Sequence, residues 1–192
     1  MTPKELVRSL VLFNRRLLSD EFISEKSQQI AKRLKLLLSS ERSVRQIHTF
    51  LPIKKNGEID TWHIIRLLSN EYQFIVSKTD FQHHRMHHYA IDEKTKFVSD
   101  KMGIPTPIGE QEIAPSNIDM VLIPLLASDK DGNRIGYGKG YYDQLIDSLS
   151  PQTIKVGLNM TGLFDHFPFM EPHDQKMDYC ITPFQTIDCR HV

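Results

Sequence analysis

The most constraining feature of this sequence is a stretch, residues 120–127, that is apolar throughout and interrupted only by a proline. A strand with apolar side chains on both faces must be covered on both faces, as central strands of parallel sheets are. Along the rest of the chain, helical and extended spacings of apolar residues alternate, which predicts strands that alternate with helices. We therefore expect an α/β fold, with residues 1–192 forming one three-layer α/β/α domain around a mostly parallel, Rossmann-like sheet.

Composition excludes several classes of protein. Lys and Arg total 24, as do Asp and Glu, so the formal net charge is zero, which argues against sequence-independent binding to nucleic acid. No apolar run reaches the roughly 20 residues of a membrane-spanning helix, and the first residues lack the apolar core of a signal peptide. Cys180 and Cys189 are too few to staple such a fold and indicate a reducing compartment. We expect a cytoplasmic monomer with no membrane or nucleic-acid partner.

Two helices are predicted near the N-terminus. The first carries one apolar stripe at helical spacing, made of Leu6, Leu10, Phe13 and Leu17. Its opposite face carries the basic residues Lys4, Arg8 and Arg15. Ser19 is a good N-cap for the second helix. The buried face of the second helix is expected to contain Ile23, Ile30, Leu34 and Leu37.

Further along, extended segments and helices alternate. Strands are predicted over residues 46–52, 72–77, 120–127, 153–160 and 177–182, with two short strands in 87–99. Helices are predicted from Asp60 or Thr61 to Leu68 and over 141–149, and a loop over 102–115. In open α/β sheets ligands bind at the carboxyl ends of strands. The loops after Leu51, Ala127 and Met160 are therefore the first places to look.

The loop after the apolar strand, residues 129–143, reads DKDGNRIGYGKGYYD. Its three alternating glycines within 136–140 allow backbone N–H groups to converge on an anion, and the helix that follows adds its positive end. Arg134 and Lys139 supply full charges. This combination favours a polyphosphate site over a tight turn with two solvated basic residues. Neither a Walker A loop nor a dinucleotide fingerprint fits the glycine spacing.

This loop resembles the signature loop of the 5-formyltetrahydrofolate cyclo-ligase (5,10-methenyltetrahydrofolate synthetase) family. Individually weak matches follow in order along most of the chain: Lys4 and Arg8, residues 50–51, 57–61 and 103–107, then Phe167, Pro168, His173, Asp174, Met177, Asp178 and Thr182. The resemblance implies that ATP and Mg²⁺ are used to convert 5-formyltetrahydrofolate into 5,10-methenyltetrahydrofolate, ADP and phosphate. In the implied mechanism the formyl oxygen attacks the γ-phosphate, the nitrogen at position 10 closes the ring, and phosphate leaves.

The resemblance also implies roles for particular residues. The catalytic set is Arg134, Lys139 and Tyr141. The ATP-binding set is Lys4, Arg8, Arg134, Ile135, Gly136, Tyr137, Gly138, Lys139, Gly140, Tyr141 and Tyr142. The reduced folate would be bound by Leu51, Glu58, Met86, Met102 and Tyr141, and Mg²⁺ by Asp143 and Asp174. A carboxylate such as Glu58 suits the donor edge of a pterin, and one or two carboxylates suit Mg²⁺.

Three other interpretations stay open. A sugar-phosphate isomerase-like enzyme would use the phosphate loop without ATP. A non-catalytic nucleotide- or folate-binding protein gains a small weight from departures from the family pattern at Ser128, Gln144 and Met102. Four histidines at 83, 84, 87 and 88 would form two i, i+4 pairs on a helix, which allows a zinc site, although no matching acidic or cysteine ligand accompanies them.

Overall fold

The computed structural model describes residues 1–109, 111–171 and 174–190, so the match at His173 lies outside the described residues. The helices are α1 (Pro3–Arg15), α2 (Asp20–Ser40), α3 (Trp62–Leu68) and α4 (Tyr141–Ser148). The strands are β1 (Gln46–His48), β2 (Gln73–Asp80), β3 (Arg85–Ile91), β4 (Lys96–Ser99), β5 (Pro105–Ile108), β6 (Met120–Pro124), β7 (Ala127–Ser128), β8 (Arg134–Ile135), β9 (Ile154–Leu158), β10 (Tyr179–Ile181) and β11 (Thr186–Asp188). Short 3₁₀ turns lie at Lys54–Asn56 and Pro115–Asn117.

The central sheet has seven strands in the order β11-β10-β9-β6-β1-β2-β3. The five inner strands are parallel to their neighbours, and the two edge strands, β3 and β11, pair antiparallel. The apolar strand β6 lies at the middle of this sheet, between β9 and β1. The mostly parallel α/β sheet expected from the sequence is therefore confirmed.

The sheet is covered on both faces, which explains why β6 is apolar on both sides. Leu34 of α2 and Ile64 of α3 pack in one core cluster with Phe74 of β2. Leu145 of α4 packs in a second cluster with Val121 of β6. The fold therefore has three layers, with α2 and α3 on one face of the sheet and α4 on the other. None of the helices in the described part of the chain is long and apolar enough to cross a membrane.

The first helix is oriented differently from what its apolar stripe suggests. Leu6, Leu10, Phe13 and Leu17 are 45–70% exposed, whereas Arg15 on the opposite face is buried. The Arg15 guanidinium donates to the carbonyl oxygens of Leu125 (2.8 Å) and Leu126 (3.3 Å), between β6 and β7. The helix therefore turns its basic face inward, because unpaired carbonyls and the glycine loop provide hydrogen-bond partners there.

Two further sequence expectations need correction. The strand predicted to end at Pro52 ends at His48, because the ladder with β2 and β6 stops there. The predicted loop 102–115 contains β5, which pairs antiparallel with β4. The turn between these strands is held by Asp100, whose carboxylate accepts from the amides of Met102 (2.8 Å) and Ile104 (2.9 Å). This local turn chemistry lets a proline-containing segment join a two-stranded ribbon.

Candidate active site

One cavity of about 590 Å³ brings together nearly every residue proposed from the sequence. Of the 17 site residues, 16 line it, and Ile135 does not: its side chain is buried with Ala127 and Phe167. The 16 are Lys4, Arg8, Leu51, Glu58, Met86, Met102, Arg134, Gly136, Tyr137, Gly138, Lys139, Gly140, Tyr141, Tyr142, Asp143 and Asp174. The volume is in the range of ordinary small-molecule sites. The connection after Met160 contributes Asp174, as expected, whereas its residues 161–171 do not line the cavity.

A tight hairpin places the glycine loop at this cavity. Strands β7 and β8 pair antiparallel, and the buried Asp129 closes the turn between them. One oxygen of its carboxylate accepts from the amides of Asp131 (3.1 Å) and Asn133 (2.9 Å), and the other accepts from the amide of Phe167 (2.9 Å). A rigid turn therefore precedes residues 136–140, which run directly into the N-terminus of α4.

The basic face of α1 closes over this loop. Arg8 Nε donates to the Gly136 carbonyl oxygen at 2.9 Å. Gly138 has a φ of +79°, and a Cβ atom built there would lie 3.3 Å from Arg8 Cζ. The close approach of the guanidinium to the backbone thus depends on a glycine at 138. Lys4, one helical turn before Arg8, lines the same cavity.

The acidic candidates for Mg²⁺ binding are paired with the basic candidates for phosphate binding. Asp143 accepts a hydrogen bond from Arg134, and Asp174 accepts one from Lys4 Nζ at 2.7 Å. Burial lowers the pKa of Arg134, and the nearby carboxylates oppose this effect. Two carboxylates beside a phosphate-type loop supply the hard oxygen ligands that Mg²⁺ prefers, so the residues present fit that ion. The pairs also give the site a way to balance charge before an anion enters.

Glu58 is a buried carboxylate at another part of the cavity wall. It is 6% exposed, and one of its oxygens accepts from the Ile53 amide at 2.7 Å. Burial raises the pKa of Glu58, whereas the Ile53 amide, the nearby Tyr137 hydroxyl and the charge of Arg15 act in the opposite direction. Burial first, and then the charge of Glu58, raise the pKa values of Tyr137 and Tyr142. A buried acceptor with unused capacity suits a ligand that presents N–H donors.

The match to known proteins covers almost the whole chain. The model of the 5-formyltetrahydrofolate cyclo-ligase family matches residues 1–183. The chain belongs to this family. The chain is 28% identical over 182 residues to the 5-formyltetrahydrofolate cyclo-ligase of Mycoplasma genitalium, covering 94% of this chain and 98% of that protein. The expectation of a ligase of folate one-carbon metabolism, drawn from the glycine loop, is confirmed at the level of the family.

Solved cyclo-ligase structures share the fold. The NMR structure of the Aquifex aeolicus 5,10-methenyltetrahydrofolate synthetase superposes with a TM-score of 0.85 at 25% identity, covering 100% of this chain and 95% of that one. The 5,10-methenyltetrahydrofolate synthetase of Mycoplasma pneumoniae superposes with a TM-score of 0.69 at 24% identity, covering 95% and 99%. At 24% identity, the likeness to the Mycoplasma pneumoniae protein shows a shared fold only.

Several lining residues of this cyclo-ligase chain were missed by sequence reasoning. They are Phe50, Ile53, Ser77, Thr79, Phe81, His84, Ile104 and Pro124. Those at 77, 79, 81 and 84 come from β2 and the β2–β3 turn, which reads as ordinary strand and turn in the sequence. The ring of His84 stacks on Tyr141 with centroids 4.5 Å apart. The parallel pairing of β2 with β1, which are distant in sequence, brings this hairpin to the cavity.

The same hairpin removes the basis of the zinc hypothesis. Residues 83 and 84 lie in the β2–β3 turn and 87 and 88 on β3, so the helical i, i+4 geometry is wrong. His83 Nδ1 bonds Asp80 at 2.7 Å, and His87 Nδ1 bonds Glu112 at 2.8 Å. His88 points to the opposite face of β3 from His87 and contacts Ser77 of β2.

Proposed function

We propose that this protein catalyses the ATP- and Mg²⁺-dependent conversion of 5-formyltetrahydrofolate into 5,10-methenyltetrahydrofolate, with release of ADP and phosphate. The observation that carries the proposal is that one cavity has two different parts. The first part is a glycine loop with four basic side chains, and the second is a wall of apolar side chains with a buried carboxylate. The basic side chains are Lys4, Arg8, Arg134 and Lys139. The first part suits a triphosphate, and the second suits a flat reduced pterin.

The chemistry requires alignment more than a protein nucleophile. The formyl oxygen forms a bond to the γ-phosphorus as the bond to the β-phosphate oxygen breaks and ADP leaves. The nitrogen at position 10 then adds to the activated carbon and loses its proton, and the carbon–oxygen bond breaks to release phosphate. Phosphorylation converts the formyl oxygen into a good leaving group, which explains the need for ATP.

The chain's own residues bind and orient these groups. Arg134, Lys139 and the backbone amides of residues 136–141 would hold the triphosphate and offset the charge that develops during transfer. Lys4 and Arg8 would reach the phosphates from α1. Asp143 and Asp174 would hold Mg²⁺, which supplies charge neutralisation for the phosphates when bound.

The folate would be held at the apolar wall. Glu58 would accept hydrogen bonds from the donor edge of the pterin, and Leu51, Met86 and Met102 would contact the flat ring. Tyr141 would lie between the two substrates, since it begins the helix that the glycine loop leads into. Its ring is already held by stacking on His84.

A spectroscopic assay tests the proposal. The purified chain is incubated with 5-formyltetrahydrofolate, ATP and Mg²⁺, and the methenyl chromophore is followed, with ATP or Mg²⁺ omitted in parallel. Product that requires both supports the proposal. Ligand binding without product would support a non-catalytic binding protein instead. Turnover of a sugar phosphate without ATP, measured in a separate assay, would support the isomerase alternative.

Variants test the phosphate loop. Arg134→Ala and Lys139→Ala should each lower kcat/KM by about a hundredfold or more, because each removes a positive charge that would stabilise the transferred phosphoryl group. Lys130→Ala is the matched control: Lys130 lies in the same hairpin but pairs with Asp165 and does not line the cavity. Wild-type kcat/KM in both loop variants would contradict the assignment. That the chain acts as one domain over residues 1–192, as a cytoplasmic monomer, stays a prediction.

A further inference from the structure

A row of three polar side chains crosses strands β1, β2 and β3 on the face covered by α4. His48 Nε2 and Ser77 Oγ lie 2.7 Å apart, and Ser77 Oγ and His88 Nδ1 lie 3.0 Å apart. Ser77 is directly opposite His88 in the β2–β3 register. The two imidazole rings meet edge to face with centroids 5.3 Å apart. One hydroxyl is therefore clamped between two imidazoles.

The three members differ in their access to the cavity. His48 is 0% exposed and His88 is 4% exposed, whereas Ser77 is half-buried and lines the cavity. Burial lowers the pKa of His48 well below its usual value and that of His88 to about 4, so both rings are neutral near pH 7. The serine hydroxyl is the point at which this row meets a ligand.

The hydrogen-bond capacity of the row leaves Ser77 with one unused position. His48 Nδ1 is buried and has no partner among the described residues. A buried lone pair without a partner is more tolerable than a buried N–H without one, so the proton of His48 resides on Nε2, which donates to Ser77 Oγ. Ser77 then has its proton and one lone pair to share between His88 Nδ1 and a ligand. Whichever one His88 uses, the other is left for a ligand, and Ser77 lines the cavity.

The row lies close to the Glu58 part of the wall. The ring centroids of His48 and Tyr142 are 6.1 Å apart, and burial, followed by the charge of Glu58, raises the pKa of Tyr142. Met86, on the strand beside Ser77, packs with Tyr142 against the same core cluster. Ser77 therefore belongs with the proposed folate wall and not with the basic side chains at the phosphate loop.

We propose that the Ser77 hydroxyl is a specificity-determining hydrogen-bond contact to the reduced folate, with His48 and His88 as positioning residues that fix its direction. This inference rests on the proposed function, because it assigns the ligand of that wall. Two imidazoles in a buried layer are a costly way to fill space, since apolar residues would need no partners. A hydroxyl held in one orientation loses little freedom when a ligand binds, which favours affinity.

The first test measures binding of each substrate separately. Ser77→Ala should weaken binding of 5-formyltetrahydrofolate by about three- to tenfold, as expected for loss of one hydrogen bond, and change ATP affinity less than twofold, both by calorimetry. Ser77→Thr, which keeps the hydroxyl, should retain folate affinity within about twofold. Ser24→Ala is the matched control, since Ser24 also bonds a histidine, His63, at 3.0 Å but lies outside the cavity.

The second test reads the histidines directly. The ¹⁵N ring signals of His48 and His88 should shift when 5-formyltetrahydrofolate is added and stay unchanged with ATP. His88→Gln should raise the KM for folate several-fold with kcat changed less than twofold, because it misdirects the hydroxyl without touching the reacting atoms. Unfolding curves for each variant establish that the folded protein is being measured.

The outcomes separate this inference from the proposed function. If the wild-type chain neither binds the folate nor forms product, the proposed function fails. If the wild type binds and turns over normally while Ser77→Ala keeps full folate affinity, or loses folate and ATP affinity equally, only the Ser77 assignment is overturned.

Discussion

Replacing Gly138 with alanine tests how closely α1 and the glycine loop are fitted to each other. At a φ of +79° an alanine is in the left-handed region, which costs about 1–2 kcal/mol. The new Cβ would lie 3.3 Å from Arg8 Cζ, and therefore the guanidinium must shift by a few tenths of an ångström. That guanidinium is also the donor to the Gly136 carbonyl oxygen. The substitution should lower the free energy of unfolding and disturb the contact between Arg8 and the phosphate loop.

Gly136→Ala is the matched control for this prediction. No atom lies within 4 Å of a Cβ built at Gly136, and its φ is not positive. Both substitutions restrict the unfolded chain equally, by about 0.4–1 kcal/mol, so this contribution cancels between them. The expected difference in the free energy of unfolding is about 1–2 kcal/mol. For a chain of this size that corresponds to a Tm about 2–8 °C lower for Gly138→Ala than for Gly136→Ala.

Thermal unfolding and ATP binding measure the two consequences. We expect Gly138→Ala to bind ATP about tenfold more weakly than Gly136→Ala, because a charge-assisted hydrogen bond of about 1.5–3 kcal/mol is disturbed at Arg8. Equal Tm values and equal ATP affinities in the two variants would refute the claim that the loop needs a glycine under the guanidinium.

Three further predictions concern charge. Asp143→Asn should raise the Mg²⁺ concentration needed for half-maximal activity about tenfold, since it removes a proposed ligand; a metal titration checks this, and an unchanged titration removes Asp143 from the site. Glu58→Gln should lower kcat/KM for folate about tenfold or more yet raise the Tm at pH 7.5. Burial raises the pKa of Glu58 in the folded protein above its ordinary value of 4.5, so the protonated Glu58 is tolerated below pH 4.5 and the ionised one destabilises the fold as the pH rises. The higher Tm of Glu58→Gln should therefore disappear below pH 4.5. Burial lowers the pKa of His88 from its ordinary value of 6.5 to about 4 in the folded protein. The free energy of unfolding should therefore be highest above pH 6.5 and fall by about 3 kcal/mol towards pH 4. Urea unfolding of His88→Gln should show a smaller loss of stability over the same pH range.

The phosphate part of the site could be predicted because its residues are close in sequence. Arg134, Lys139 and the glycines lie within seven residues, and their chemistry depends mainly on local turn geometry. The second part of the site could not be predicted in this way. Ser77 and His84 lie at the cavity because β2 pairs with β1, and the same pairing brings His48 to Ser77. Strand pairing is non-local, and a serine on a strand carries no signal of the histidines that flank it.

The first helix shows the limit of periodicity as a guide to burial. The spacing of its side chains correctly predicts a helix with an apolar and a basic face. It does not say which face lies inward, because that depends on what the rest of the chain offers. Here the carbonyls of Leu125 and Leu126 accept from Arg15, and the Gly136 carbonyl accepts from Arg8. The apolar face is left exposed.

The sequence by itself determined the α/β class, the central apolar strand and the phosphate loop, because each follows from side-chain periodicity or from residues a few positions apart. Only the tertiary structure decided that α1 turns its basic face inward, that Glu58 is a buried carboxylate and that a serine between two buried histidines forms part of the cavity wall. The physical reason is that burial and hydrogen-bond partnership are properties of surroundings, and those surroundings are supplied by segments distant in the chain.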